Sequence, residues 1–375
     1  TMTLIPTQPD KLQPILASYQ EKTLLPDLYA AMKLSGYEMI PYVNSKDEIP
    51  DSGIVQFLET ARYSTGYAAL FNCIGMMPET HMLKAYTDRV WSTYHLLASV
   101  GRLVNRDFQQ IISNKASADA AVVQQKEFAL SWTLDEKKFD LLSFKGYAAK
   151  YKPSEVTGAQ RLYYDRNEPF EKEIPYFNHY EVADKVTAPV AYIIPQAWTS
   201  VIDRLTWNGV LMKRLDKDTT LQVTVYYLDE FKTTKDAFEG HYLHSSVKLR
   251  TEQQTINYYQ GDVVVYPNQS ANRYIVEMLE PQGVDSYFAW NFFDPVLMAK
   301  EYFSDYVWED LAAELLQTNP GIKKALDAKK SGDPEFAKNA DAQLYFVYTQ
   351  SPYYEKTHKR YPIGRLTEGI TLPLK

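Results

Sequence analysis

The residues best suited to chemistry stand in two short stretches. The first is FNCIGMMPETHMLK, residues 71–84, where five of the first seven side chains are apolar before Pro78 hands over to an acid, Glu79. A carboxylate directly after a buried strand sits at the carboxyl edge of an α/β sheet, where ligands bind in such folds. A carboxylate partly desolvated in such a place could move protons near neutral pH. The competing reading is a Glu in the first turn of the following helix, favoured by the helix dipole. The second stretch is ARYSTGY, residues 61–67. Its Arg62, Tyr63 and Tyr67 are read either as contacts to a substrate side chain, terminal carboxylate or transition-state oxygen, or as a turn with a surface Arg and packed Tyr rings. An Arg beside the pocket would favour acidic side chains through charge-assisted hydrogen bonds.

Other patterns point away from a site. Asn105 and Arg106, in VNRDF, lie between Val104 and Phe108 of a helical stripe, which turns the pair toward solvent. His241 and His244, in HYLH, are spaced for one helix face, but their surroundings read as strand, where the two rings point to opposite faces. Zinc needs three or four convergent ligands, so no metal site is assigned within the chain. The single cysteine, Cys73, excludes an internal disulfide and any cysteine-based zinc site, and its apolar run makes it a small buried hydrophobe.

The elements that must position these residues begin in an α/β order. Met2 to Ile5 reads as a strand, and Asp10 caps a helix carrying Leu12, Ile15, Leu16 and Tyr19. Pro26 interrupts or restarts that helix and Gly36 closes it. YEMIPYV is a further strand, and two apolar runs lead through Ile54 and Leu58 to Met77. Val90, Tyr94, Leu97, Gly101, Val104, Phe108 and Ile111 then recur at helical spacing, the core-facing stripe of a long amphipathic helix. Ser117 caps a second helix reaching Ala129. Beyond it, FDLLSFKGYAAKYK, LQVTVYYLDEF, HSSVKLR and DVVVYP are strands, PQAWTSVIDRLTWNG and NRYIVEMLEP short helices. The tail has helices around VWEDLAAELLQ, with SGDPEFAKNADAQ as a loop. The division is residues 1–130, α/β, and then residues 131–375, a β-rich α+β domain with terminal helices.

Composition narrows the partners. With 375 residues and 45% hydrophobic content the chain has room for two or three cored domains. No apolar run approaches the length of a membrane span, so membrane insertion is not expected. The net charge of −7 and the lack of a long basic block argue against nucleic acid. No signal-peptide pattern is visible at the start of the chain.

Residues 51–84, DSGIVQFLETARYSTGYAALFNCIGMMPETHMLK, resemble the end of the catalytic domain in zinc metallocarboxypeptidases of the carboxypeptidase A type, in the large bacterial branch with a β-rich C-terminal extension. VAYIIPQAWTSVIDRLTWNGV and EPQGVDSYFAWNFFD resemble that extension. The resemblance implies that residues 1–130 are the C-terminal part of the catalytic domain, that Glu79 is its general base and acid, and that ARYSTGY lies at its specificity loop. It implies a peptide substrate, zinc in the full-length protein, and a secreted or periplasmic location. The family binds zinc through His-x-x-Glu and a later His, all upstream of the glutamate. Here His81, His95, His179, His241, His244 and His358 all come after Glu79, and none begins His-x-x-Glu. The opening TMTLIPTQ resembles the family's segment just after the last zinc ligand. The expectation is a chain whose partner is the missing N-terminal half of the catalytic domain, inactive and without zinc alone. The alternatives are a non-catalytic glycan- or protein-binding module, for which Trp198, Trp207 and Trp290 would stand exposed in a row, and a catalytically dead relative.

Overall fold

The computed structural model describes residues 2–299 and 302–375. Strand β1 (Met2–Pro6) leads to helix α1 (Pro14–Tyr19), a π turn (Gln20–Leu24) and α2 (Leu25–Leu34). The restart expected near Pro26 falls at that π turn: the helical run continues through it in right-handed conformation, and the wider turn lies just before the proline, which has no N–H to give to the preceding turn. Gly36 comes after the helix at φ 82°, the left-handed conformation that ends it. Asp10 does not cap α1. Gln8 caps a short 3-10 turn there, and the Asp10 carboxylate accepts instead from the Tyr180 N–H at 2.7 Å. Strands β2 (Met39–Pro41), β3 (Ile54–Val55) and β4 (Met76–Glu79) come next, with α3 (Ser64–Leu70) between the last two. The first sheet runs β2-β1-β4, with β2 parallel and β4 antiparallel to β1.

Helix α4 (Tyr86–Gln124) is continuous over 39 residues. Ser117 lies inside it and starts no second helix, and by residue 127 the chain is already strand. Most of the face assigned from spacing is turned outward, although Ile111 does pack on the core. Leu96 and Leu103 point inward and pack with Met2, Leu4, Leu28 and Met32. On the same side Ser92 and Ser99 are buried, small enough for α4 to lie close against its neighbours. Tyr94, Leu97 and Phe108, 57%, 66% and 50% exposed, form a second apolar stripe open to solvent.

The β-rich part begins with β5 (Glu127–Leu134), β6 (Asp140–Pro153), β7 (Gln160–Phe177) and β8 (Tyr180–Thr187). β6 and β7 form a long antiparallel hairpin whose base adds β3 in parallel, while β5 pairs with β8. Then come β9 (Ala191–Ile194), α5 (Thr199–Trp207), β10 (Met212–Arg214), β11 (Thr219–Thr233), β12 (His244–Tyr258), β13 (Val263–Val265) and α6 (Asn272–Leu279). The tail folds as α7 (Asp305–Thr318), α8 (Pro320–Gly332), α9 (Pro334–Lys338), α10 (Ala340–Thr349) and β14 (Gly364–Leu366). The segment read as a tail loop is thus helical: Asp333 and Asn339 cap α9 and α10 through their side chains, and Pro334 starts α9 at a position suited to proline. The large sheet runs β10-β13-β9-β14-β11-β12.

The chain is mixed α and β, with a β-rich second part. A division after residue 130 cuts through β5. The main core also crosses it, because Leu70 and Val122 pack with Tyr192, Ile275 and Phe288. The buried Asn272 side chain donates to the Val122 carbonyl at 2.9 Å, a further tie between the two parts.

Candidate active site

Glu79 ends β4, opposite Thr3 of β1. It lies seven positions before the start of α4, whose first-turn acid is Asp88, so Glu79 does not serve the helix dipole. The strand is not buried as expected. Among the described residues β4 has a neighbour on one side only, Met76 and Met77 are half-buried, and Pro78 and Glu79 are exposed. Cys73 is exposed as well, not buried as its apolar run suggested.

Glu79 overlooks a cleft of about 900 Å³. One wall is the first sheet and α2, through Thr3, Ile40, Leu25 and Tyr29; the opposite wall is the β6–β7 hairpin, through Leu142 and Tyr176. The hairpin reaches across because its base packs on the sheet: Ile54, Phe144 and Ile174 are buried together with Ile40 against them. An ion pair joins the walls, with the Lys145 ammonium 2.9 Å from the Glu38 carboxylate. The hydrogen bond from Lys145 is the main cause holding the Glu38 carboxyl below its ordinary range. Glu21 lines the cleft too. Its carboxyl is held above the ordinary range, first by removal from water and then by Asp10 and Asp140, although part of the side chain reaches solvent. On the Glu79 side the lining continues with His81 and Lys84.

Arg62, Tyr63 and Tyr67 do not line that cleft. The Arg62 guanidinium is committed to the buried Asp285, with Nε 2.7 Å and Nη2 2.5 Å from Oδ1, while the Arg62 backbone N–H donates to Oδ2 at 2.9 Å. Burial alone would raise the Asp285 carboxyl; the bonds from Arg62 and Thr60 outweigh it and hold it below the usual range. The guanidinium also lies 5.2 Å from the ring centres of Phe238 and Trp290, so residues from the β-rich part enclose it. The Tyr67 hydroxyl bonds the Asn208 side chain, and its ring packs on Phe71 at 5.2 Å. The Tyr63 ring is exposed.

Spacing did not disclose a buried charged cluster behind this loop. Lys11 Nζ donates to the Glu59 carbonyl at 2.5 Å, Thr65 Oγ1 donates to the Glu59 carboxylate at 2.8 Å, and Arg273 pairs with Glu277 at 2.8 Å. Burial pulls the Lys11 ammonium down to about 8, against the opposing pull of Glu277. The members come from residues 11, 59, 65, 273 and 277, so only the fold unites them.

The remaining candidates are spread apart. Arg106 pairs with Asp27 and Asp107 on the surface of α4. His241 packs on Trp290, whereas His244 is buried and bonds Thr233 and Asp294. Trp207 is 73% exposed, but Trp198 packs on Phe293 and Trp290 donates to Asp285, so the three make no exposed row. Among the described residues no three His, Cys, Asp or Glu side chains converge to hold a metal, so the zinc implied by the resemblance finds no ligand set here. Among them also, no helix is long and apolar enough to cross a membrane.

No family model, curated protein or solved structure matches this chain.

Proposed function

We propose that this chain is the C-terminal portion of a zinc carboxypeptidase-like peptidase that hydrolyses C-terminal peptide bonds, secreted or periplasmic, with Glu79 as its general base and acid. The observation that carries this reading is the position of Glu79, a carboxylate at the end of a strand, over a cleft large enough for a peptide and mostly apolar in its walls. In that role Glu79 takes a proton from the attacking water and returns it to the leaving amine. No step here runs through a metal, since the described residues do not form a ligand set. The polypeptide bearing the ligands is the expected partner. The outer edge of β4, unpaired among the described residues, and the open apolar stripe of α4 offer it a surface for added strands and helices.

The test is Glu79→Gln in a longer, zinc-loaded polypeptide. The substitution keeps size and most hydrogen bonds but cannot take a proton. Turnover is expected to fall about 10²–10⁴-fold, with zinc content and thermal midpoint nearly unchanged. Full turnover in the folded, loaded variant refutes the assignment.

A further inference from the structure

Tyr29, on α2, and Tyr176, on β7, stand on opposite walls of the cleft. Their rings are half-buried, but protein crowds the hydroxyl ends, and removal from water raises both phenols well above the ordinary tyrosine range. Neither hydroxyl has a hydrogen-bond partner among the described residues. Neither belongs to the unpaired polar atoms that are sealed from solvent, so both open on the cleft they line. A third group stands with them. The Gln56 backbone is held on both sides, its N–H donating to the Phe177 carbonyl at 2.9 Å and its carbonyl accepting from the Tyr180 hydroxyl at 2.7 Å. That same Tyr180 acts on the Tyr176 phenol, which sets Gln56 beside it. The Gln56 side chain lines the cleft and is only 6% exposed, yet its amide has no partner among the described residues.

Polar groups removed from water are normally paired, and leaving one unpaired is unfavourable. Three in one place call for a ligand, and their surroundings say which kind. No cation acts on either phenol. The one ionised group that does is the Asp140 carboxylate, which already accepts from Asn178 Nδ2 at 2.7 Å. An anion would meet no counter-charge there, and a cation only an acid already engaged. Phenol and carboxamide groups both give and accept hydrogen bonds, which suits an uncharged head. Around them Leu25, Ile40 and Leu142 make the walls apolar, which suits an apolar body.

We propose that this part of the cleft binds an uncharged amphiphile, with its hydroxyl or carboxamide head held by Tyr29, Tyr176 and Gln56 and its apolar body along Leu25, Ile40 and Leu142. The site goes beyond the peptidase reading and does not rest on it, since none of the three polar side chains takes part in the proton transfers given to Glu79.

The experiment is titration calorimetry of the 375-residue chain with octanamide, 1-octanol, octanoate and octylammonium, one apolar body with four heads. The two neutral heads should bind at least about ten-fold more tightly than either ion. Tyr29→Phe and Tyr176→Phe should each weaken octanamide binding about three- to ten-fold, the loss of one hydrogen bond. The thermal midpoint of either ligand-free variant should stay in place or rise, because the hydroxyl removed has no partner in the protein; a structural role predicts a fall. Equal affinity for all four heads, tighter binding of an ion, no binding of a neutral head, octanamide affinity unchanged in both variants, or a midpoint lowered by several degrees in both overturns the proposal. Binding is read without turnover, so a failure here leaves the Glu79→Gln test of the peptidase reading untouched.

Discussion

Arg62 and Asp285, 223 residues apart in the chain, hold each other through two side-chain nitrogens and one backbone N–H, under the rings of Phe238 and Trp290. The pair fastens the loop before α3 to the segment after α6. Its energetics are those of a desolvated ion pair, in which losing one partner strands the other.

Arg62→Ala should therefore cost about 3 kcal/mol of stability by leaving Asp285 buried and unpaired. Chemical denaturation measures it. In a longer, active polypeptide the loss of activity should be equal on acidic and apolar C-terminal residues. A selective loss on C-terminal Glu or Asp would return Arg62 to substrate recognition.

The same pair sets an acid limit. The folded Asp285 carboxyl binds its proton more weakly than the unfolded one. Its contribution is therefore complete above the unfolded value, near pH 4, and is lost as pH falls through the folded pKa. The stability gap between the unaltered chain and Asp285→Asn should be full at about pH 7 and close progressively below about pH 4. Denaturation midpoints at stepped pH check this, and a gap independent of pH contradicts it.

Lys11 acts in the opposite direction along the pH scale. Its folded pKa, about 8, lies below the ordinary lysine value of 10.5. Between those values the unfolded chain holds more protons, so stability rises with pH, and the gain is lost as pH falls from 10.5 through 8. Relative to Lys11→Met, the unaltered chain should gain on the order of 2 kcal/mol between about pH 7.5 and about pH 10. A difference that stays flat over that range contradicts the burial.

Gly66 stands where no side chain fits. A Cβ there would lie 2.0 Å from the Thr60 carbonyl oxygen and 2.5 Å from that of Glu59. Gly66→Ala must push that backbone aside, along with the Glu59–Thr65 contact and the start of the Arg62 loop. A loss of about 2–3 kcal/mol or more is expected, read by thermal unfolding; an alanine variant of unchanged midpoint would show that the loop yields freely.

For the metal, elemental analysis of the purified chain should find well below one zinc per molecule, since no convergent ligand set exists among the described residues. Stoichiometric zinc resisting mild chelation would contradict that.

Much of the architecture was legible. The strand and helix order through β3, the short helices at 199–207 and 272–279, and the β-rich second part are set by periodicity and turn residues, whereas α3, which begins inside ARYSTGY, reads in the sequence as a turn. The face of α4 was not, because that helix carries apolar side chains on two sides and spacing cannot say which one meets the protein. The inward side is marked by Ser92 and Ser99, whose small size matters only once a neighbour is present. The helix at VWEDLAAELLQ was legible, but those after it hid behind Asn319, Asp333 and Asn339, residues common in loops that here cap helices. At the site, Glu79 could be placed at a strand end, but its exposure depends on β4 having no outer neighbour. The commitment of Arg62 depends on Asp285, and no local pattern links residues so far apart.

The open stripe of α4 also governs how the chain behaves as a colloid. Tyr94, Leu97, Val104 and Phe108 form a greasy rail along a rod roughly 58 Å long. A net charge of −7 spread over the rest of the surface does little to shield it. Crowded in a test tube, such rails find one another. The concentration at which scattering rises should thus be set by this rail, and replacing Leu97 and Phe108 with Glu should raise that concentration while leaving the melting temperature in place.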